Sequence, residues 1–320
     1  MATESAPRLR IGVVGTGALG RHHVRLLAGL PEADLRGVYD ARPETATAVA
    51  AEHGTRAFRD VGLLAAEVEA VVLAVPTVEH ARLGGELLAA GCHVLVEKPL
   101  ASSLAEADAL VAAAGERVLA VGHVEFFNPA VQALVELGVP PGFVEVERLA
   151  AFSPRSLDID VVLDLMIHDL QILHALEPSP LIEVRATGVR VLSEQVDIAN
   201  ARLVFASGCV ANVTASRVSA EKVRKLRSFA GRSYYSLDYL AQEIKSFRLV
   251  DDGGARRIER TEVPVTRAEP LQRELEAFVG ACRGGGQRVV SGAEGRQALA
   301  TALQVRAEID GGRSLGVEGR

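Results

Sequence analysis

A chain of 320 residues has room for two domains of ordinary size, each with its own core. A composition 48% hydrophobic and 24% charged belongs to a folded globular protein and excludes a disordered one. Thirty-five Lys and Arg against 41 Asp and Glu give a net charge of -6, so the global basic excess of a nucleic-acid-binding surface is missing.

The first ~120 residues alternate strand and helix signals, the pattern of a parallel sheet covered by helices. Strands are expected at 9–15, 34–40, 70–75, 93–97 and 117–122. Helices are expected at 20–30, 43–53, 80–90 and 104–114, with Pro43 near the start of one and Ser102 or Ser103 as the cap of another. The rhythm then changes. Helix signals at 129–137 and 161–176 are joined by strand-like runs at 144–151, 182–191, 198–205, 209–216, 224–230, 234–239 and 243–250. Consecutive strands without helices between them point to a mainly antiparallel sheet. Helices at 269–282 and 293–309 close the chain. The expected fold class is therefore α/β, a Rossmann doubly wound parallel sheet over 1–122, followed by an α+β substrate-binding and oligomerisation domain with a large open sheet over 123–320.

Cys92, Cys209 and Cys282 are odd in number and form no C-x-x-C pair, which argues for packed, reduced thiols and against a disulfide framework or structural zinc. The start, MATESAPRLRIGVVGTG, lacks the basic-then-apolar order of a signal peptide, and no run approaches a membrane helix of roughly 18 apolar residues. A cytoplasmic protein with no membrane partner and no metal is expected. His22, His23 and His93 read as structural or solvent-facing, because no carboxylate or cysteine constellation accompanies them.

Gly15-Thr16-Gly17-Ala18-Leu19-Gly20 fits G-x-G-x-x-G, between an apolar strand and a helix. Gly15 permits the tight turn, Gly17 lets backbone approach a pyrophosphate, and Gly20 allows close helix–strand packing. The helix start offers N–H groups and a positive dipole end to phosphates. Asp40, twenty residues after Gly20, suits the ribose hydroxyls and favours NAD, whereas the neighbouring Arg42 is the kind of residue that accommodates NADP.

Val94-Leu95-Val96-Glu97-Lys98-Pro99 puts two charges directly after an apolar strand, where an open α/β sheet has its ligand crevice. Lys98 is a candidate for that crevice, with a surface lysine as the alternative. The expected helix DVVLDLMIHDLQILHAL is apolar nearly all round, yet Asp160, Asp164, His168 and Gln171 recur at intervals of four, four and three. Buried charges are costly unless paired, so this stripe is either a site or a structural Asp–His pair.

With these pieces together the chain resembles the glucose–fructose oxidoreductase/inositol dehydrogenase (Gfo/Idh/MocA) family over nearly its whole length. GTGALG at 15–20, AVPTVEH at 74–80, EKPL at 97–100, LDLMIHDL at 163–170 and the closing LQRELEAFVGACRGG with VSGAEGRQAL carry the likeness. The resemblance implies Lys98 as the catalytic lysine and Asp164 with His168 as its catalytic partners. It implies Pro76, Thr77, His80, Glu97 and Lys98 beside the loop residues Gly15 to Gly20, Asp40 and Arg42 on the cofactor side. Within the family, GHVEFFNPA, DIANARLVF and NVTASRVSAEKVRKL are similar to the branch that oxidises the C3 hydroxyl of UDP-N-acetylglucosamine, although that branch has Arg-Phe-Asn-Pro where this chain has Phe126-Phe127-Asn128-Pro129.

Substrate contacts are expected from His123, Asn128, Arg155, Asp164, His168 and Arg217, with Lys222, Arg224 and Lys225 as further phosphate candidates. The implied reaction is NAD-dependent oxidation of a secondary alcohol on a sugar or nucleotide sugar. Either Lys98 or His168 accepts the proton. Another sugar or polyol such as inositol is the alternative substrate, and a non-catalytic NAD-binding regulator the alternative class. A homodimer or homotetramer through the C-terminal sheet is expected.

Overall fold

The computed structural model describes residues 7–152, 159–252 and 255–311. The chain divides into two compact units, Met1–Val124 with Glu269–Arg296, and Glu125–Ala268 with Gln297–Arg320.

The first unit is built as βα repeats: β1 (Leu9–Val14), α1 (Gly20–Gly29), β2 (Ala33–Tyr39), α2 (Pro43–Glu52), a short α3 (Val61–Ala65), β3 (Ala70–Leu73), α4 (His80–Ala89), β4 (His93–Glu97), α5 (Leu104–Ala114) and β5 (Leu119–Gly122). The five strands are parallel in the order β2-β1-β3-β4-β5. β3 and β5 are buried at every residue, which is why they read as unbroken apolar runs. Ser103 caps α5, its hydroxyl accepting from the Glu106 N–H, and Asp60 caps α3 through the Leu63 N–H. The order reverses between β1 and β3, so the switch point lies at the carboxyl end of β1, where Gly15 begins the next turn.

In the second unit α6 (Pro129–Glu136) and β6 (Phe143–Leu149) precede a π turn (Val162–Met166) and α7 (Ile167–Leu176). Then follow β7 (Leu181–Val189), β8 (Ile198–Phe205), β9 (Val210–Ser216), β10 (Val223–Ala230), β11 (Ser233–Asp238), β12 (Glu243–Asp252) and β13 (Ala255–Glu262). Eight strands form one sheet in the order β13-β12-β11-β10-β6-β9-β8-β7. Every pair is antiparallel except β6–β9. In β6, Val144, Val146 and Arg148 are buried while the residues between them are half-buried, the alternation of a sheet covered on one face. That covered face packs on Met166, Ile167, Leu170 and Leu173.

Two more helices close the chain: α8 (Pro270–Cys282) and α9 (Gly292–Gly311). Here the single cut expected at 122 is corrected. Leu275, Phe278 and Val279 of α8 enter the same core as Ile11, Val13, Val24 and Leu27, so this segment belongs to the first unit. Val290 also accepts from the Val121 N–H, and Ser291 bridges Ala120, covering the open edge of β5. Ala298, Ala302 and Val305 of α9 join the second core.

Candidate active site

The glycine loop of the first unit has a different reason for each glycine. Gly15 has φ +91°, and a Cβ there would lie 2.3 Å from the Ala74 carbonyl oxygen. A Cβ on Gly20 would stand 1.9 Å from the Gly15 oxygen, so the helix can sit this close to the loop only with glycine. Gly17 differs: its φ is not in the left-handed region, and a Cβ would meet nothing within 4 Å. The fold does not need glycine there. Open space over Gly17, together with an α1 start that no side chain caps, is what a pyrophosphate requires. Gly17→Val is therefore expected to leave the thermal midpoint within the shift of about 1 kcal/mol and to weaken NAD binding at least about tenfold, read by calorimetry. Gly20→Val is expected to lower both.

Asp40 follows β2 and faces this loop. One oxygen accepts from the Thr16 N–H at 2.8 Å and the Thr16 hydroxyl at 3.0 Å, and the other accepts from the Arg42 N–H at 2.9 Å. Burial pushes its carboxyl up. The Arg42 and Thr16 hydrogen bonds outweigh that, and the net result lies below the ordinary aspartate value. The Arg42 side chain is 67% exposed, its Nε 3.7 Å from Asp40. Ala18 and Leu19 sit on the exposed rim of the same loop.

At the end of β3, Pro76 and Thr77 lead into a short 3-10 turn, Thr77–Glu79. His80 is 1% exposed, with Nδ1 2.9 Å from the Pro99 oxygen and Nε2 2.9 Å from the Val75 oxygen. Its ring joins the β3 turn to the β4 turn. Glu97 ends β4, buried, and accepts from His23 Nε2–H at 2.7 Å and from the Lys98 N–H at 3.3 Å. Lys98, half-buried, precedes Pro99 through a cis peptide bond. His123 follows β5 directly and is fully buried. Burial, and next the Lys98 ammonium, lower it to about 3, so it is neutral near pH 7.

In the second unit the expected stripe does not run along one regular helix. Asp160 is an N-cap, accepting from the Val162 and Leu163 N–H groups at 2.9 and 3.0 Å, and it pairs with Arg306 at 2.9 Å. Asp164 falls within the π turn, where the Ile167 N–H bonds to the Val162 carbonyl, an i→i+5 step. Such turns recur at functional sites. His168 follows, 9% exposed, on the first turn of α7. Gln171 is buried with its Oε1 lacking a hydrogen-bond partner.

Two of the residues expected at the substrate are engaged by the fold itself. The Asn128 amide caps α6 through the Ala130 N–H at 3.1 Å and donates to the Tyr239 carbonyl at 3.0 Å. Both its ends serve the fold. Arg217 is 5% exposed, donating to Asp197 at 2.8 Å, to the Ile159 carbonyl at 2.5 Å and to Ser193 at 2.9 Å. It holds the Asp197 turn, whose carboxylate also accepts from the Val191, Leu192 and Ser193 N–H groups. Arg155 lies outside the described residues.

Sequence reasoning missed a buried ionic network. Arg148 forms a two-pronged pair with Asp169 at 2.6 and 2.7 Å and bonds Glu125 at 2.9 Å. Glu125 also takes Arg224 at 2.6 Å, which engages one of the expected phosphate candidates. Arg148 stands over the Tyr239 ring at 5.1 Å. Burial opposes the guanidinium charge, but the Asp169 and Glu125 carboxylates raise it above its ordinary value. The signal lay in β6: its alternation puts Arg148 on the inward face, where a charge needs a carboxylate.

Parallel sheet, glycine loop and acid at the end of β2 define a dinucleotide-binding Rossmann unit. The model of the Gfo/Idh/MocA oxidoreductase family, NAD-binding Rossmann fold, matches residues 9–123. UDP-N-acetylglucosamine 3-dehydrogenase of Acidithiobacillus ferrooxidans is 40% identical over 94% of this chain and 97% of that protein. A solved structure of that enzyme aligns with a TM-score of 0.89 at 39% identity, covering 96% of this chain and 99% of that one. Inositol 2-dehydrogenase of Rhizobium meliloti is 27% identical over 92% of this chain and 94% of its own. This chain belongs to the Gfo/Idh/MocA family and is an oxidoreductase. No described helix is long and apolar enough to cross a membrane.

Proposed function

We propose that this enzyme oxidises the C3 hydroxyl of UDP-N-acetylglucosamine to a ketone, with NAD as acceptor. The observation that carries the reading is the 40% identity to an enzyme of that name over nearly the full length of both chains. The Gly15–Gly20 loop and the start of α1 would hold the diphosphate, and Asp40 the ribose hydroxyls. Bound NAD supplies the hydride acceptor. An anionic Asp40 repels a 2′-phosphate, which is the reason to favour NAD over NADP.

Lys98, His168 and Asp164 are the proton-handling groups of this reading. An imidazole takes a hydroxyl proton, a neighbouring carboxylate favours its charged form, and an ammonium polarises the alcohol oxygen. Removing one hydrogen-bonding group from a site built for a sugar hydroxyl is strongly discriminating. Initial-rate NAD reduction is therefore expected to give UDP-N-acetylglucosamine a kcat/KM at least about 10²-fold above myo-inositol or glucose. A preference for myo-inositol would overturn the substrate. NAD binding with no turnover on the whole panel would favour the regulator.

Self-association through the second unit's sheet, in the cytoplasm, completes the proposal. Phe143, Phe229, Tyr234 and Phe247 are successive cross-strand neighbours on its less covered face, with ring centroids 5.9, 4.9 and 6.0 Å apart. Phe229 is 39% exposed, an apolar row suited to a copy of itself.

A further inference from the structure

The reaction scheme above makes no use of Glu274, an acid buried in the first unit. Glu274, on α8, is 1% exposed, and neither carboxyl oxygen has a hydrogen-bond partner. An anion in such a place is costly. Its electrostatic neighbour is Glu97, itself buried. From α1 comes His23, fully buried and bonded to Glu97 at 2.7 Å. The charged neighbours on α8, Arg273 and Glu276, are exposed, and the Arg25–Glu269 pair between α1 and the start of α8 lies at the surface.

We propose that Glu274 is a neutral acid in the folded enzyme and a positioning residue for Lys98, acting through Glu97. The role for Lys98 is the one proposed in the preceding section. Glu97 ties the β4 turn by two bonds, from His23 and from the Lys98 N–H. It has little freedom, because even a Cβ on Gly122 would come within 2.8 Å of its Oε2. A neutral Glu274 leaves the Glu97 carboxylate in these bonds. An ionised Glu274 sets two buried carboxylates against each other, and the bond to the Lys98 N–H is the longer and weaker of the two.

Burial first, and then the Glu97 charge, raise the Glu274 carboxyl well above its ordinary value. The folded state thus keeps a proton that the unfolded state loses above about pH 4.3. Its stabilising effect is complete below that pH and declines as pH rises toward the folded value.

The test compares the full-length enzyme with Glu274→Gln, which fixes the neutral form. The infrared carbonyl stretch of a protonated carboxylic acid is expected at pH 7 in the wild type and absent from the variant. The thermal midpoint of the variant relative to wild type is expected to climb as pH rises above about 4.3. The alkaline limb of kcat is expected to move up by at least about one pH unit, with KM for NAD unchanged. No lost infrared band, or a midpoint difference that is flat in pH, overturns the neutral acid. An unmoved kcat limb overturns the positioning role. Near-normal turnover in Lys98→Met, with the infrared band still present, marks failure of the reading of Lys98 and not of the acid.

Discussion

Replacing Lys98 by methionine is expected to lower turnover by at least about 10²-fold while NADH binding, read by calorimetry, stays within about threefold. Methionine keeps an unbranched stem of similar length and removes only the ammonium. The turn survives the change because Glu97 is held by His23 and by the residue 98 N–H, neither of which depends on the lysine head. His123 stays neutral, since burial is the first cause of its low value and Lys98 only the second. Asp164→Asn and His168→Asn should each cut kcat by a similar factor, and the combined variants by less than the product, as expected of groups that act as a unit. Near-normal turnover in Lys98→Met would remove the lysine from the mechanism.

Asp169→Ala is expected to be the most destabilising single change in the second unit, about 3–5 kcal/mol in denaturant unfolding. Asp169 is fully buried and Arg148 is 2% exposed. Truncation leaves a guanidinium in the interior with Glu125 as its remaining carboxylate, while Tyr239 loses the acceptor of its hydroxyl at 3.3 Å. The double variant Arg148→Met, Asp169→Leu should lose less than Asp169→Ala, because it leaves no unpaired charge. The exposed pair Arg185–Glu183, though 2.5 Å long, should contribute nothing measurable. A Glu183→Ala variant as damaged as Asp169→Ala would show that burial is not what matters.

The parallel sheet was legible because its signals are local. The bounds of β4 and α5 agree with expectation to the residue, since each has apolar content closed by a clear stop: charges after β4, and Gly115 after α5. Helix α3 escaped because five residues carry no helical period. Strand β13 escaped because ARRIERTE lies exposed on the sheet edge, where no alternation with a core is imposed. The π turn has no compositional mark, so Asp160 looked like one more member of the stripe when it is a cap. Asn128 and Arg217 show the same limit. A polar residue in a loop signals that it needs partners but not that the fold already provides them.

The excursion of the chain between the two segments of the first unit bears on its biogenesis. Residues 1–124 contain all five parallel strands, yet their core is finished by Leu275, Phe278 and Val279. Domains ordinarily fold in order of synthesis, but this cofactor-binding half must wait, partly formed and with apolar surface bare, until the ribosome has released the chain beyond α8.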